Sequence, residues 1–223
     1  MLLEVKNMDY FYQDGDEKRY ILKDVSCEFQ KGVFYTILGA SGSGKTTFLS
    51  LISALDTANA GEILYEGESI QAIGAQNYRR NKIGIIFQAY NLISYMSAVE
   101  NVLVAMDITD NELPMDNKAV AYNLLDFIGI NREKAERPVN QLSGGEQQRV
   151  AIARSLSTGV ELLLADEPTG NLNEEMEDKL IEIFQNLAHK EGKCVIVVTH
   201  SNKIAESSDA VYRLSKGVLL EDE

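Results

Sequence analysis

Eight consecutive residues, Gly39-Ala40-Ser41-Gly42-Ser43-Gly44-Lys45-Thr46, constrain this chain more than any others. They follow an apolar run, Val33 to Leu38, and open a segment in which Phe48, Leu51, Ile52 and Leu55 share one side of a helix. A G-x-x-x-x-G-K-[ST] spacing between a strand and a helix makes a cradle for phosphate. The glycines let backbone N–H groups turn inward, and the helix N-terminus adds partial positive charge. Lys45 can reach the β- and γ-phosphates of a nucleotide, and the Thr46 hydroxyl can ligate Mg²⁺. A flexible Gly/Ser loop would share the composition but not the flanking strand and helix.

The rest of the chain alternates in the same way. Ile83 to Phe87, Leu162 to Ala165 and Cys194 to Val198 are short apolar runs without polar alternation, expected of strands covered by helices on both faces. After Asn173, the residues Met176, Leu180, Ile183, Phe184 and Leu187 form the apolar stripe of a helix. Its first turns carry Glu174, Glu175, Glu177 and Asp178, which match the helix dipole rather than mark a metal cluster. His189 and Lys190 stand at its far end and Gly192 follows, the usual stop signals. Residues 1–30 and 60–70 alternate in short pieces around turn signals at Asp14-Gly15-Asp16 and Glu66-Gly67, which predicts an antiparallel β lobe. Residues 97–157 are mostly helical in pattern, with Val120, Leu124 and Ile128 at four-residue spacing and a polar surface connection from Asp107 to Lys118 containing Pro114. The fold class is therefore α/β.

Composition excludes several functions. With 21 basic and 34 acidic residues the net charge is -13, which opposes broad contact with nucleic acid. A chain of 223 residues can hide about 72% of its unfolded surface, so no disulfide or structural metal is required. Cys27 and Cys194 read as buried free thiols. Met1 to Tyr10 carries Glu4, Lys6 and Asp9 and lacks the apolar segment of a secretory signal. The longest uncharged stretch, Ile83 to Val99, is interrupted by Gln88, Asn91, Ser94 and Ser97, so no membrane-spanning helix is expected.

A second half of a nucleotide site follows at other strand ends. Leu162-Leu163-Leu164-Ala165-Asp166-Glu167 places the Asp166 carboxylate at the C-terminal edge of the sheet, near Mg²⁺. Glu167, one residue on, can polarise a water for attack on the γ-phosphate. His200 closes the strand Cys194 to Thr199, where an imidazole can meet the γ-phosphate or that water. Gln88 follows Ile83 to Phe87, where its amide can meet Mg²⁺ or water. Each of the three would carry little meaning without the phosphate cradle.

Leu142-Ser143-Gly144-Gly145-Glu146-Gln147-Gln148-Arg149 decides the family. Ser143, Gly144 and Gly145 open a helix with apolar Val150, Ile152 and Ala153, a second donor-rich helix N-terminus suited to an anion. The stretch resembles the signature of ATP-binding cassette ATPases, with Glu146 where Gln is also common. The resemblance covers essentially the whole chain. It implies a P-loop NTPase (RecA-like) core with its β lobe in residues 1–88 and 158–223 and a helical signature lobe over about 89–157, all one domain. It further implies that ATP and Mg²⁺ are the cofactors and that Tyr12 stacks on adenine. Gly39, Ser41, Gly42, Ser43, Gly44, Lys45, Thr46 and Thr47 hold phosphate. Thr46, Gln88 and Asp166 hold the metal, Glu167 is the general base, His200 the switch histidine, and Ser143, Gly144 and Gly145 the γ-phosphate donors. Because the signature lies on a different lobe from the P-loop, the family pairs two cassettes head to tail around two ATP molecules, here as a homodimer.

Phe87 to Ile93, Ala98 to Val102 and Glu167-Pro168-Thr169-Gly170-Asn171-Leu172 resemble the subgroup of lipoprotein-release, macrolide-export, antimicrobial-peptide-resistance and cell-division complexes. Such a cassette works on a separate transmembrane permease, exporting or extracting peptides, antibiotics or lipoproteins, and sits in the cytoplasm on the inner face of the membrane. A regulatory cassette on a membrane partner that transports nothing is the alternative. The uncharged surface after Gln88 is the candidate docking site, with helical-lobe core as its other reading. Two departures stand out. Asn173 lies where the subgroup commonly has Asp, capping a helix equally well but removing a charge from the loop that crosses the dimer. Ser201 follows His200 where an acidic residue is frequent.

Overall fold

Side chains alternate along the central strands between two apolar layers, and that alternation organises the molecule. The computed structural model describes residues 1–15, 17–112, 116–170 and 172–222. Asp16 of the first turn signal, Pro114 of the polar connection and Asn171 of the run after Glu167 lie outside the described residues.

Ten strands and nine helices are described. The strands are β1 (Leu3–Asp14), β2 (Glu17–Phe29), β3 (Phe34–Leu38), β4 (Ala60–Tyr65), β5 (Glu68–Ser69), β6 (Ile83–Ile86), β7 (Leu162–Asp166), β8 (Cys194–Thr199), β9 (Ala210–Ser215) and β10 (Val218–Glu221). The helices are α1 (Lys45–Ile52), α2 (Ile70–Ile73), α3 (Ala75–Asn81), α4 (Ala98–Ile108), α5 (Asn117–Phe127), α6 (Arg132–Ala135), α7 (Gly144–Leu156), α8 (Glu174–His189) and α9 (Asn202–Ser207). One sheet, ordered β10-β9-β3-β8-β7-β6, is parallel except for the β10–β9 hairpin. The second, ordered β2-β1-β4-β5, is antiparallel and forms the expected β lobe.

Leu163 and Ala165 of β7 and Val195 and Val197 of β8 face one core, which also takes Phe184 of α8, Val150 and Ile152 of α7 and Val102 of α4. Leu162, Leu164, Cys194, Ile196 and Val198 face the other, with Phe48 and Leu51 of α1 and Leu3, Val5 and Phe29 of the β lobe. Helices or the second sheet thus cover both faces, which is why these strands carry no polar alternation. Cys27 and Cys194 are buried free thiols, one in each sheet.

Three details differ from the sequence expectation. Helix α1 ends at Ile52 with Ser53 as its C-cap, so Leu55 falls beyond it and is 49% exposed. In α5 the fully buried stripe is Ala121 and Leu125, with Val120 and Leu124 only flanking it; a four-residue period drifts around a 3.6-residue helix. Asp107 belongs to the last turn of α4 and Asn117 to the first of α5, so the polar connection is shorter than its composition implied.

Candidate nucleotide site

The strand ends of the parallel sheet, with Tyr12 of the β lobe, bring most of the sequence-predicted residues to one cleft of about 630 Å³, lined by Tyr12, Ile21, Ser41, Gly42, Gly44, Lys45, Thr46, Thr47, Gln88, Glu167 and His200, while Gly39 and Ser43 line an adjoining hollow that shares Ser41, Gly42 and His200. The loop between β3 and α1 fits the cradle geometry. Gly44 sits at φ 105°, open only to glycine without strain, and caps α1 with no side-chain bond of its own. At Gly39 a Cβ would lie 2.6 Å from the Leu214 carbonyl oxygen and 2.6 Å from Ser43 Oγ, so only glycine lets this backbone pass. Ser43 Oγ is buried and, among the described residues, has no hydrogen-bond partner. A buried hydroxyl left so is the observation a bound phosphate accounts for.

Lys45 is 6% exposed and donates from Nζ to the carbonyl oxygens of Gly39 (2.8 Å) and Ala40 (3.1 Å). The same ammonium lies 3.4 Å from Glu167 Oε1. Glu167 Oε2 accepts from the Thr199 hydroxyl (3.1 Å) and the His200 backbone N–H (3.3 Å), and meets His200 Nδ1 at 2.9 Å. A carboxylate only accepts, so the proton of that bond sits on Nδ1 and leaves Nε2 for the cleft. Glu167 holds φ 44°, a left-handed conformation that costs a non-glycine residue roughly 1 kcal/mol or more. Its N–H is tied to the Val198 carbonyl at 2.9 Å, which fixes the turn at the end of β7.

The Thr46 hydroxyl donates to Asp166 Oδ1 at 3.4 Å. Burial and the neighbouring Glu167 charge raise the Asp166 carboxyl above its ordinary value, against the Thr46 bond and Lys45. The Asp166 carboxylate and the Thr46 hydroxyl in contact, with the Gln88 amide lining the same cleft, offer oxygen donors of the kind a hard divalent cation takes. Gln88 rests on Gly170, where a Cβ would come within 2.9 Å of its Nε2.

Among the described residues, Ser143, Gly144 and Gly145 are not part of the cleft lining. Ser143 caps α7 in a capping box with Glu146, Gly144 lies under the Tyr90 hydroxyl and Gly145 against Met176. The cleft and the Ser143–Gly145 start of α7 are therefore separate features of one chain. The chain matches the family described as ABC transporter over residues 22–170. It belongs to that family.

This ABC ATPase is 46% identical over 216 residues to an uncharacterized ABC transporter ATP-binding protein, YclH, of Bacillus subtilis (strain 168), a match spanning 97% of this chain and 94% of the relative. It is 38% identical to the lipoprotein-releasing system ATP-binding protein LolD of Francisella tularensis subsp. tularensis (strain FSC 198), over 98% of this chain and 96% of LolD. It is 39% identical to the macrolide export ATP-binding/permease protein MacB of Aggregatibacter actinomycetemcomitans, over 99% of this chain and 34% of MacB, so it spans about a third of that relative. Its fold superposes on the dimeric structure of MJ0796, a bacterial ABC transporter cassette, with a TM-score of 0.89 at 34% identity, covering 100% of this chain and 98% of the other. A dimeric post-hydrolysis state of MJ0796 bound to ADP and Pi matches with the same TM-score at 33% identity. The chain is thus a nucleotide-binding ATPase subunit of the ABC transporter type, built on a P-loop NTPase core.

Sequence reading missed several contacts of the ATPase. Thr199, the hydroxyl in an otherwise apolar strand, steadies Glu167. Arg154 of α7 donates to the carbonyl oxygens of Tyr90 (3.0 Å) and Asn91 (2.5 Å), both left-handed at φ 59° and 50°. The Ser201 hydroxyl bonds Glu177 at 2.7 Å and accepts from the Ile204 N–H as the cap of α9, so this departure is structurally occupied. Asn173 caps α8 by accepting from the Met176 N–H at 3.0 Å. His189, read from the sequence only as a structural residue at a helix end, meets Asp209 at 2.9 Å.

Proposed function

We propose that two copies of this ATPase close head to tail around two ATP molecules and that closing and reopening drive a separate membrane permease. The observation that carries the reading is the separation of the cleft from Ser143–Gly145, which leaves the cleft with an anion site on one side only. Each nucleotide would take its cradle from one protomer and Ser143, Gly144 and Gly145 from the other.

In that arrangement Ser41, Gly42, Ser43, Gly44, Lys45, Thr46 and Thr47 hold the phosphates, and Tyr12, exposed on β1 beside the cleft, stacks on adenine. A magnesium ion held by Thr46, Gln88 and Asp166 would supply positive charge to the phosphate oxygens. Glu167 takes a proton as water oxygen bonds to the γ-phosphorus, while the bond to the bridging oxygen breaks and ADP leaves with that electron pair. Bonds from Thr199 and His200 hold one Glu167 oxygen in place, so its orientation is set before water arrives. His200 then meets the γ-phosphate or the water through Nε2. The domain reading is a single unit, with the helical lobe over about residues 89–157.

The permease would dock at a hollow of about 330 Å³ lined by Ile83, Ile85, Ile93, Val104, Ala105 and Ile108 beside Arg79 and Arg154. Ile93, in the stretch after Gln88, lines this hollow, and Tyr95, two residues on, is 78% exposed. The ATPase would then be cytoplasmic and peripheral on the inner face of the membrane; no described helix is long and apolar enough to cross one. Peptides, antibiotics or lipoproteins are the cargo classes this reading favours, exported or extracted by the permease. Glu167→Gln tests the chemistry: steady-state phosphate release should fall by about 10²–10⁴-fold while ATP still binds. Turnover at the wild-type rate would remove Glu167 from the role of base.

A further inference from the structure

Glu146 puts a negative charge in the first turn of α7, three residues from Ser143, at the end of the helix that is meant to attract an anion. The charge is fixed there. Glu146 Oε2 accepts from the Ser143 N–H at 2.8 Å and Ser143 Oγ accepts from the Glu146 N–H at 3.3 Å, so the capping box consumes two donors of the helix end. The Gly144 and Gly145 N–H groups and the Ser143 hydroxyl remain as the donors for a phosphate. The Lys134 ammonium first, and then these Ser143 bonds, push the Glu146 carboxyl down to about 2, so it keeps its charge near neutral pH. A carboxylate held beside a γ-phosphate repels it, and a neighbouring cation is then the way to offset the repulsion.

Two cations stand near. Arg149, one turn further along α7, turns its Nη1 to Met176 Sδ at 3.4 Å, and its Nε is buried with no partner among the described residues. Lys134 of α6 points the other way: its Nζ donates to Glu146 Oε1 at 2.6 Å. The pair is only partly exposed, with 14% of the Glu146 side chain and 39% of the Lys134 side chain accessible. Helix α6 is set in position by its own cap, where Asn131 accepts from the Lys134 N–H at 3.0 Å.

We propose that Lys134 is a charge-compensating positioning residue of this ATPase. It neutralises Glu146 so that the N-terminus of α7 can receive the γ-phosphate of a nucleotide held by a second copy. The inference rests on the head-to-tail reading above and assigns a residue outside the signature to it. Where residue 146 carries no charge, the lysine has nothing to offset, and that dependence separates an electrostatic role from a structural one.

The test is a double-mutant cycle in the Glu167→Gln background. Light scattering follows the Mg-ATP concentration needed for half-maximal dimerisation. K134M, which keeps the aliphatic stem, should raise that concentration at least fivefold, and K134R should leave it within twofold. With E146Q also present, K134M should shift it less than twofold. K134Q repeats the reading with a polar head, and thermal unfolding of each variant checks that α6 stays folded. An unchanged midpoint with K134M, or an equal shift with and without E146Q, overturns the proposal while leaving the head-to-tail dimer standing. Failure of the Glu167→Gln parent to dimerise overturns both.

Discussion

Lys45 illustrates how single residues here hold a charge network together. Its ammonium is nearly buried and spans two carbonyl oxygens and Glu167, so the loop backbone and the end of β7 share one cation. A phosphate arriving in the cleft would compete for the same ammonium. Charge-assisted bonds of this kind contribute about 1.5–3 kcal/mol each, so Lys45→Ala should weaken ATP binding by roughly tenfold or more. Calorimetric titration reads this directly, and unchanged affinity would refute the role. The motif residues were legible from the chain alone because their requirements are local: a left-handed glycine, Gly44, at the turn into α1 and a lysine one residue after it. Thr199 and Lys134 were not, since each acts by meeting a residue that only folding brings near, and nothing in their own neighbourhood in sequence marks them.

At the scale of elements, α7 joins the signature to the loop after Gln88. Ser143 stands at its start, and Arg154, near its end, clamps Tyr90 and Asn91 in left-handed conformations. Burial disfavours the charged form of Arg154, so this guanidinium is retained against a desolvation cost. Losing its bonds to the part-buried Tyr90 carbonyl and the exposed Asn91 carbonyl should cost stability by about 1–3 kcal/mol and let the loop carrying Gln88 relax. Arg154→Ala should therefore lower the chemical denaturation midpoint and reduce kcat more than it raises KM for ATP. A loss of stability with kcat intact would confine Arg154 to packing. Element types were largely readable because both faces of the central sheet are covered and each helix shows its stripe. Boundaries were less so: α1 stops before Leu55, and the buried face of α5 is offset by one residue, because the cap and the packing partner set those limits. The clamp itself joins residues 63 and 64 positions apart, beyond the reach of any periodicity.

For the whole molecule, two sheets and a helical layer produce a cleft with a cradle, a paired carboxylate turn and a histidine, and keep the Ser143–Gly145 helix start out of its lining. The α/β fold followed from the alternation of apolar runs and helical stripes, and the family from the order of motifs, whose resemblance already put the signature on a different lobe from the P-loop. The proposed function accordingly rests on geometry, one complete nucleotide site being shared by two protomers. The direct measurement is a crystal structure of the Glu167→Gln variant with ATP and Mg²⁺. Two nucleotides are expected, each contacted by Lys45 of one protomer and by Ser143 and Gly145 of the other. A nucleotide enclosed entirely by residues of one polypeptide would contradict it.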